Sequence, residues 1–343
     1  MSGYGLKVFR PDGTSIVLDN TTTMTKIVAM GSKTLTYGEW NTGVTIPEGY
    51  DYFLWMTSNA WLNYIVVRHG RRSQWTPGGQ AYNRVHLDTN RVLKVNSVNY
   101  NTAVLATYYS VCIWPTATPQ GRYGVQFYGA DHLSGISDVS QFSCLLFKGE
   151  VDIYNGWLPS HINPAFTPNN VMCFFYTEDA SKTISARAVR RYRTPATMEG
   201  FGVFNVGGGA SATPIRAKIC LFGQGPLNRS QYGMEIYSRF NGSVVYNSGY
   251  DILARPRLVT LAGAELGAMR PVDGVRRPMY APCNIGGLFS HPWQVEVWVN
   301  SNGTQIGPAW GTAFYKEAST GAYTYFIAPV PIMVLDASDY FHF

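Results

Sequence analysis

The sequence predicts an all-β protein of three tandem, homologous β-sandwich-like domains. Three observations carry that reading. A short phrase recurs at about the interval of one small domain. Apolar residues alternate with polar ones at period two, the spacing of a half-buried strand, and runs at helical spacing are absent. Aromatics reach 14% and charged residues only 14%, against about 25% charged in an average soluble chain, with 35 glycines and 19 prolines as turn material.

The phrase first reads Tyr4-Gly5-Leu6-Lys7-Val8-Phe9, followed by Pro11-Asp12-Gly13 and Ile16-Val17-Leu18-Asp19. It returns as Tyr123-Gly124-Val125-Gln126-Phe127-Tyr128 and again as Tyr232-Gly233-Met234-Glu235-Ile236-Tyr237, with Asn241-Gly242 after it. The expected domains are therefore 1–120, 121–230 and 231–343. Each opens with a hairpin, because Pro-Asp-Gly and Asn-Gly supply tight turns between alternating strands.

The remaining elements follow in the same order in each copy. In the first, Lys26–Met30 reads as a third strand ended by Gly31, and Gly43–Gly49 reads as a loop. Asp51–Met56 and Tyr64–Arg68 read as a buried pair, Gly70–Tyr82 as an exposed basic loop, and Val92–Val95 and Val104–Trp114 as closing strands. The second copy offers Phe142–Phe147, Val171–Tyr176, Ile184–Val189 and Ile215–Phe222. The third offers Arg257–Leu261, the alternating run Trp293–Val299, and Tyr325–Leu335, where Pro329 and Pro331 point to an edge strand or a bulge.

Composition narrows the function. The formal net charge of +6 is modest for 343 residues, and no recognition helix, zinc-finger spacing or RNA-binding aromatic motif accompanies the basic clusters, so nucleic acid is not an expected partner. The five cysteines, Cys112, Cys144, Cys173, Cys220 and Cys283, are odd in number, widely spaced and without a C-x-x-C pair. That argues against a disulfide framework or structural zinc and fits assembly in a reducing cytosol. No stretch has the charge-then-apolar pattern of a leader or the ~18 apolar residues of a membrane span. The six histidines, His69, His86, His132, His161, His291 and His342, sit at unrelated places, and no nucleophile elbow or phosphate-binding glycine motif occurs. The expectation is a non-enzyme with no cofactor and no metal.

Function is then expected on loops, where recognition concentrates. Trp61, Trp75, Trp157 and Trp310 fall in or beside segments read as loops, and exposed aromatic area marks interaction surface. Three loops are the candidate recognition sites: Arg71, Arg72 and Trp75; Trp157 and His161; Arg276, Arg277 and Tyr280.

The opening phrase, Tyr4-Gly5-Leu6 with Asp12-Gly13, resembles the start of a family of small virion proteins of tailed bacteriophages. Here it opens all three copies, with Val125 and Met234 in place of the leucine and no Asp-Gly in the second. The resemblance implies a structural component of the virion, assembled in the host cytoplasm and placed in the distal tail (baseplate, tail tip or fibre). Its partners would be other tail proteins and further copies of itself, a homotrimer being favoured, with a host surface polysaccharide or protein receptor as a further contact. The three domains of one chain could equally fill three pseudo-equivalent positions by themselves. A head decoration protein and a stand-alone carbohydrate-binding adhesin are the alternatives. A polysaccharide-cleaving tailspike is disfavoured, since it calls for a long parallel β-helix.

Overall fold

A computed structural model describes residues 5–9, 15–19, 24–36, 38–69, 72–97, 105–116, 124–128, 133–137, 143–189, 197–224, 227, 233–237, 242, 244–290, 293–315 and 324–343. Among these the regular structure is antiparallel strand plus two short 3-10 turns, Pro159–His161 and Ala337–Asp339. The all-β class read from the sequence is therefore the fold of the protein. The first tyrosine of each phrase, the Pro11-Asp12-Gly13 turn, and Gly70 and Arg71 lie outside the described residues.

The first stretch holds β1 (Gly5–Phe9), β2 (Ser15–Asp19), β3 (Lys26–Leu35), β4 (Gly38–Thr45), β5 (Tyr50–Met56), β6 (Ala60–His69), β7 (Arg72–Leu87), β8 (Val92–Ser97) and β9 (Leu105–Pro115). The second holds β10 (Gly124–Tyr128), β11 (Leu133–Ser137), β12 (Cys144–Ile153), β13 (Val171–Tyr176), β14 (Lys182–Val189), β15 (Thr197–Asn205) and β16 (Ile215–Gly223). The third holds β17 (Glu235–Tyr237), β18 (Val244–Asn247), β19 (Arg257–Thr260), β20 (Pro278–Tyr280), β21 (Asn284–Ser290), β22 (Trp293–Ser301), β23 (Ile306–Tyr315), β24 (Thr324–Ile327) and β25 (Pro331–Asp336).

One arrangement recurs in all three stretches. Each Tyr-Gly phrase forms a two-stranded ribbon, β1–β2, β10–β11 and β17–β18. The register sets Leu6 opposite Leu18, Val125 opposite Ile136 and Ile236 opposite Tyr246. After the ribbon, the last strand of the stretch lies between two earlier ones, giving β3-β9-β5, β12-β16-β13 and β19-β25-β20. The correspondence extends to single residues. Ile27 faces Cys112 and Ala29 faces Val111, with an irregularity between; Leu145 faces Phe222 and Phe147 faces Leu221, with the same irregularity. Both ladders then end in register, at Leu35–Leu105 and Ile153–Ile215.

One apolar core gathers residues from all three groups of strands. Ile27, Phe53, Trp55 and Cys112 from the first meet Leu145, Met172, Phe174, Cys220 and Phe222 from the second and Met279, Tyr280, Ile332 and Val334 from the third. Their outer faces are covered separately. β4, β6, β7 and β8 close over Leu54, Met56, Val111 and Ile113, while β14 and β15 close over Val171, Cys173, Phe175 and Leu221. The second and third stretches also share a ladder, because β13 joins β20 at Phe175–Tyr280 and produces the six-stranded order β12-β16-β13-β20-β25-β19. The boundary drawn at 230 from the sequence thus divides strands of one sheet.

The entries to the three sheets converge as well. Thr25 N donates to Leu253 O at 2.9 Å, Leu253 N to Ser143 O at 2.9 Å, and Leu145 N to Asp251 O at 2.8 Å. Met24, Cys144 and Ile252 close that end with Tyr246 of the third ribbon.

Several readings of individual segments are corrected. Gly43–Gly49 and Gly70–Tyr82 are not simply loops: they contribute to β4, whose partner β8 lies well along the chain, and to the 16-residue β7, which pairs with β6 just before it and β8 just after it. Gly31 lies inside β3 rather than ending it. β5 and β6 do not pair with each other, since β5 joins β9 and β6 joins β7. Tyr325–Leu335 is two strands, and β25 is interior; Pro331 sits at its first residue, where the missing N–H costs little.

Phe174 is fully buried and meets Phe222 edge-on at 5.7 Å. Phe174→Ala should therefore cost about 3–5 kcal/mol, read as a lowered midpoint in urea unfolding. All five cysteines are buried and free. Burial pushes the thiols of Cys144 and Cys283 up to about 12, and those of Cys112, Cys173 and Cys220 further up. An unfolded chain loses thiol protons from about pH 9 that the folded chain keeps, so these groups remove stability as pH rises from about 9 towards 12. Lys26 acts the other way: burial lowers its ammonium to about 8, so stability from this group rises between about 8 and 10.5. Five thiols outweigh one ammonium. The urea midpoint should fall between pH 8 and pH 10, and a thiol reagent at pH 8 should modify no cysteine until the chain unfolds.

Candidate functional site

Opposite charges on alternate residues build the site. In β12, Glu150 and Asp152 point away from the core, and the register sets Lys218 and Arg216 of β16 directly across from them. Cross-strand pairs of this kind are neighbours on one face. Lys218 bonds Glu150, while Arg216 reaches Glu150 at 3.5 Å and Asp152 at 3.2 Å. On the other side of Lys218 lies Tyr176, the last residue of β13. The row Glu150–Lys218–Tyr176 thus crosses three strands.

Tyr176 continues the row into the third stretch. Its hydroxyl donates to Glu178 Oε1 at 2.6 Å and accepts from Arg277 Nη1 at 3.0 Å. Burial, with the Glu178 bond, pushes the phenol up to about 12, so it stays a neutral donor at physiological pH. The hydrogen bond and charge of Lys218 hold the Glu150 carboxyl below its ordinary range. The turn after β22 approaches here: Gly303 has φ +91°, and a side chain would meet Glu178 Cγ at 2.8 Å and the Tyr176 hydroxyl at 3.1 Å. Glycine satisfies both the backbone conformation and the close approach.

The last residues form the remaining wall. Asp336 caps the turn Ala337–Asp339 through Ser338 N and also accepts from the backbone of Arg276 at 2.8 Å and Arg277 at 3.3 Å. Tyr340 is then buried against Phe222, and Phe343 is carried out over the charged row, half exposed. The Arg277 guanidinium lies 4.0 Å from the Phe343 ring centre and Lys218 Nζ 5.1 Å, with Tyr176 edge-on at 5.1 Å. Glu150, Tyr176, Glu178, Arg216, Lys218 and Phe343, with Thr177, Asp179, Lys182, Pro214 and Ala217, line an open cleft of about 660 Å³, within the range of small-molecule sites. No group of three or more His, Cys, Asp or Glu able to hold a metal occurs among the described residues.

The recognition residues read from the sequence are not brought together. Arg71 lies outside the described residues; Arg72 and Trp75 belong to strand β7. Trp157 is 2% exposed and sits in the outer core against Phe175 and Phe201, so it is not a surface anchor. His161 is exposed on the first 3-10 turn, stacked on Tyr154. Tyr280 is buried in the central core, because its large apolar area completes the join between β13 and β25. Trp61 is likewise buried, in β6, and Trp310 lies on β23 rather than in a loop. Arg276 is exposed and Arg277 reaches the cleft. Sequence reasoning missed Glu150, Tyr176, Glu178, Lys218 and Phe343. The signal was the alternation Glu150-x-Asp152 against Arg216-x-Lys218, two complementary rows on strands that pair.

Arg277→Lys would keep the charge but lose the flat guanidinium on Phe343. Because the pair is partly exposed, stability should change by less than about 1 kcal/mol, while the ring signals of Phe343 in an NMR spectrum should shift clearly.

Comparison with known proteins finds no match among curated sequences and none among solved structures. A family model described as a family of unknown function, DUF6453, matches residues 63–291. That span covers more than half of the chain, from β6 to just past β21, and takes in the charged rows and Tyr176 of the cleft and Arg277 beside it. The chain therefore belongs to the DUF6453 family.

Proposed function

We propose that this chain is a structural component of a tailed-phage virion, placed in the distal tail and working by protein–protein docking, with host-receptor contact as part of that role. One observation carries the reading. The phrase behind the resemblance to tail-region proteins builds the same element three times, a two-stranded ribbon that joins no third strand among the described residues. Such a ribbon has marginal stability by itself in water, and an element of this kind can gain stability by pairing with a strand of another protein.

The ribbons are also placed alike. Asp19 precedes Met24 by five residues, Ser137 precedes Cys144 by seven and Asn247 precedes Ile252 by five, and these three residues meet in one cluster. At no more than ~3.6 Å per residue, every ribbon is tethered close to the same end of the body. The shared core also supports the reading in which three homologous domains of one chain fill three pseudo-equivalent positions. A homotrimer is then unnecessary to build that centre, because strands of all three stretches already contribute to one buried core. In this role the protein performs no catalysis.

Mass spectrometry of purified particles from cells carrying the gene should find the chain in the virion, and cross-linking should join residues 5–19, 124–137 or 233–247 to other tail proteins. Absence from purified particles would overturn the assignment. Cross-links confined to capsid proteins would favour a head decoration role instead.

A further inference from the structure

We propose that the cleft beneath Phe343 binds a neutral oligosaccharide. The inference gives chemical content to the receptor-contact part of the proposed function, on which it rests only for where such a sugar would come from. Its argument is the charge arithmetic of the walls. Glu150, Glu178 and Asp179 face Lys182, Arg216 and Lys218, three acids against three bases. Each base is engaged: Lys218 and Arg216 with Glu150, Arg216 also with Asp152, and Lys182 with Asp179 at 3.4 Å. Arg277, beside the cleft, is engaged with Glu178 at 3.5 Å.

A phosphate, a carboxylate or an ammonium entering this cleft would gain one partner by taking it from another. It would leave an acid or a base without its counter-charge, and the gain from the new pair would be offset by the loss of the old. A hydroxyl group avoids that exchange. It donates to a carboxylate oxygen and accepts from an ammonium or guanidinium at the same time, and so bridges an existing pair without breaking it. A ligand carrying many hydroxyls at spacings of a few ångströms fits a wall of paired charges better than any ion does.

The other surfaces agree with a sugar. Phe343, half exposed, and Pro214, exposed, offer apolar surface to the C–H face of a pyranose ring. The Tyr176 hydroxyl, fixed between Glu178 and Arg277, adds a neutral polar group at the edge of that surface. A volume of about 660 Å³ accommodates more than one ring. The site is peculiar to its place in the chain. By register, Glu150–Lys218–Tyr176 corresponds to Ser32–Tyr108–Thr57 in the first stretch, a row without charge whose threonine is buried against Thr107.

The test is an immobilised panel of neutral, phosphorylated, sialylated and amino-bearing oligosaccharides, probed with the full chain and with Phe343→Ala, Tyr176→Phe and Glu178→Gln. Phe343 and Glu178 are exposed, so those variants should keep the wild-type melting temperature, which is measured alongside. The expected result is retention by neutral glycans, weakened about five- to tenfold in each variant, the equivalent of one lost hydrogen bond or contact. Retention by charged glycans alone, by none of the panel, or with unchanged strength in all three variants would overturn the proposal. Detection of the chain in virions is a separate readout, so failure here leaves the docking role standing, and absence from virions leaves the sugar site standing.

Discussion

Everything in this molecule depends on one apolar core that draws on all three stretches. A sheet with two apolar faces is stable only when both are covered. Here the outer faces of the first two are covered by strands that follow in the same stretch, with Trp298 joining the second, while the central core draws on all three stretches and on β21, β22 and β23. Phe53 and Trp55, Met172 and Phe174, Met279 and Tyr280 are therefore core residues within a cluster that draws on distant parts of the chain. The convergence of chain entries at Thr25, Ser143 and Leu253 fixes how the sheets approach, so hydrogen bonding at one end sets the geometry that the apolar contacts fill.

That dependence on distant partners explains what could be read in the sequence. The first and third ribbons were legible, since a tight turn between alternating residues specifies its own partner. So were β9, β13 and β16, whose apolar runs announce burial on both faces. β11 of the second ribbon, without such a turn, was not, and neither were β4 and β7. β4 alternates only between half-buried and exposed positions and carries glycine, and β7 includes Pro77-Gly78-Gly79. β4 is a strand because β8, farther along the chain, pairs with it; β7 pairs with β6 immediately before it, and its Pro-Gly-Gly hides that pairing from a reading of local turn signals. Pro331 misled for a related reason: proline excludes a ladder bond, yet at the first residue of a strand no such bond is needed.

The site was illegible for a different reason. Large aromatics drew attention as surface anchors, but Trp157 and Tyr280 carry the apolar area that a core of this kind consumes. The cleft instead uses residues that look ordinary one at a time. Glu150 and Lys218 become a pair only when β12 and β16 align, and Tyr176 joins them only because it is the next strand's last residue. Arg277 comes from yet another segment, and holds its place through the Asp336 carboxylate on the backbone before it.

The contrast between the charged row and its neutral counterpart, Ser32–Tyr108–Thr57, has a wider meaning. In an assembly of identical subunits every substitution appears at each equivalent position, so a feature useful at one junction must be tolerated at all of them. A single chain that lays out three similar units is free of that obligation. It can place charge at one junction and leave another uncharged, repeating a strand order in its backbone while its side chains distinguish one unit from the others.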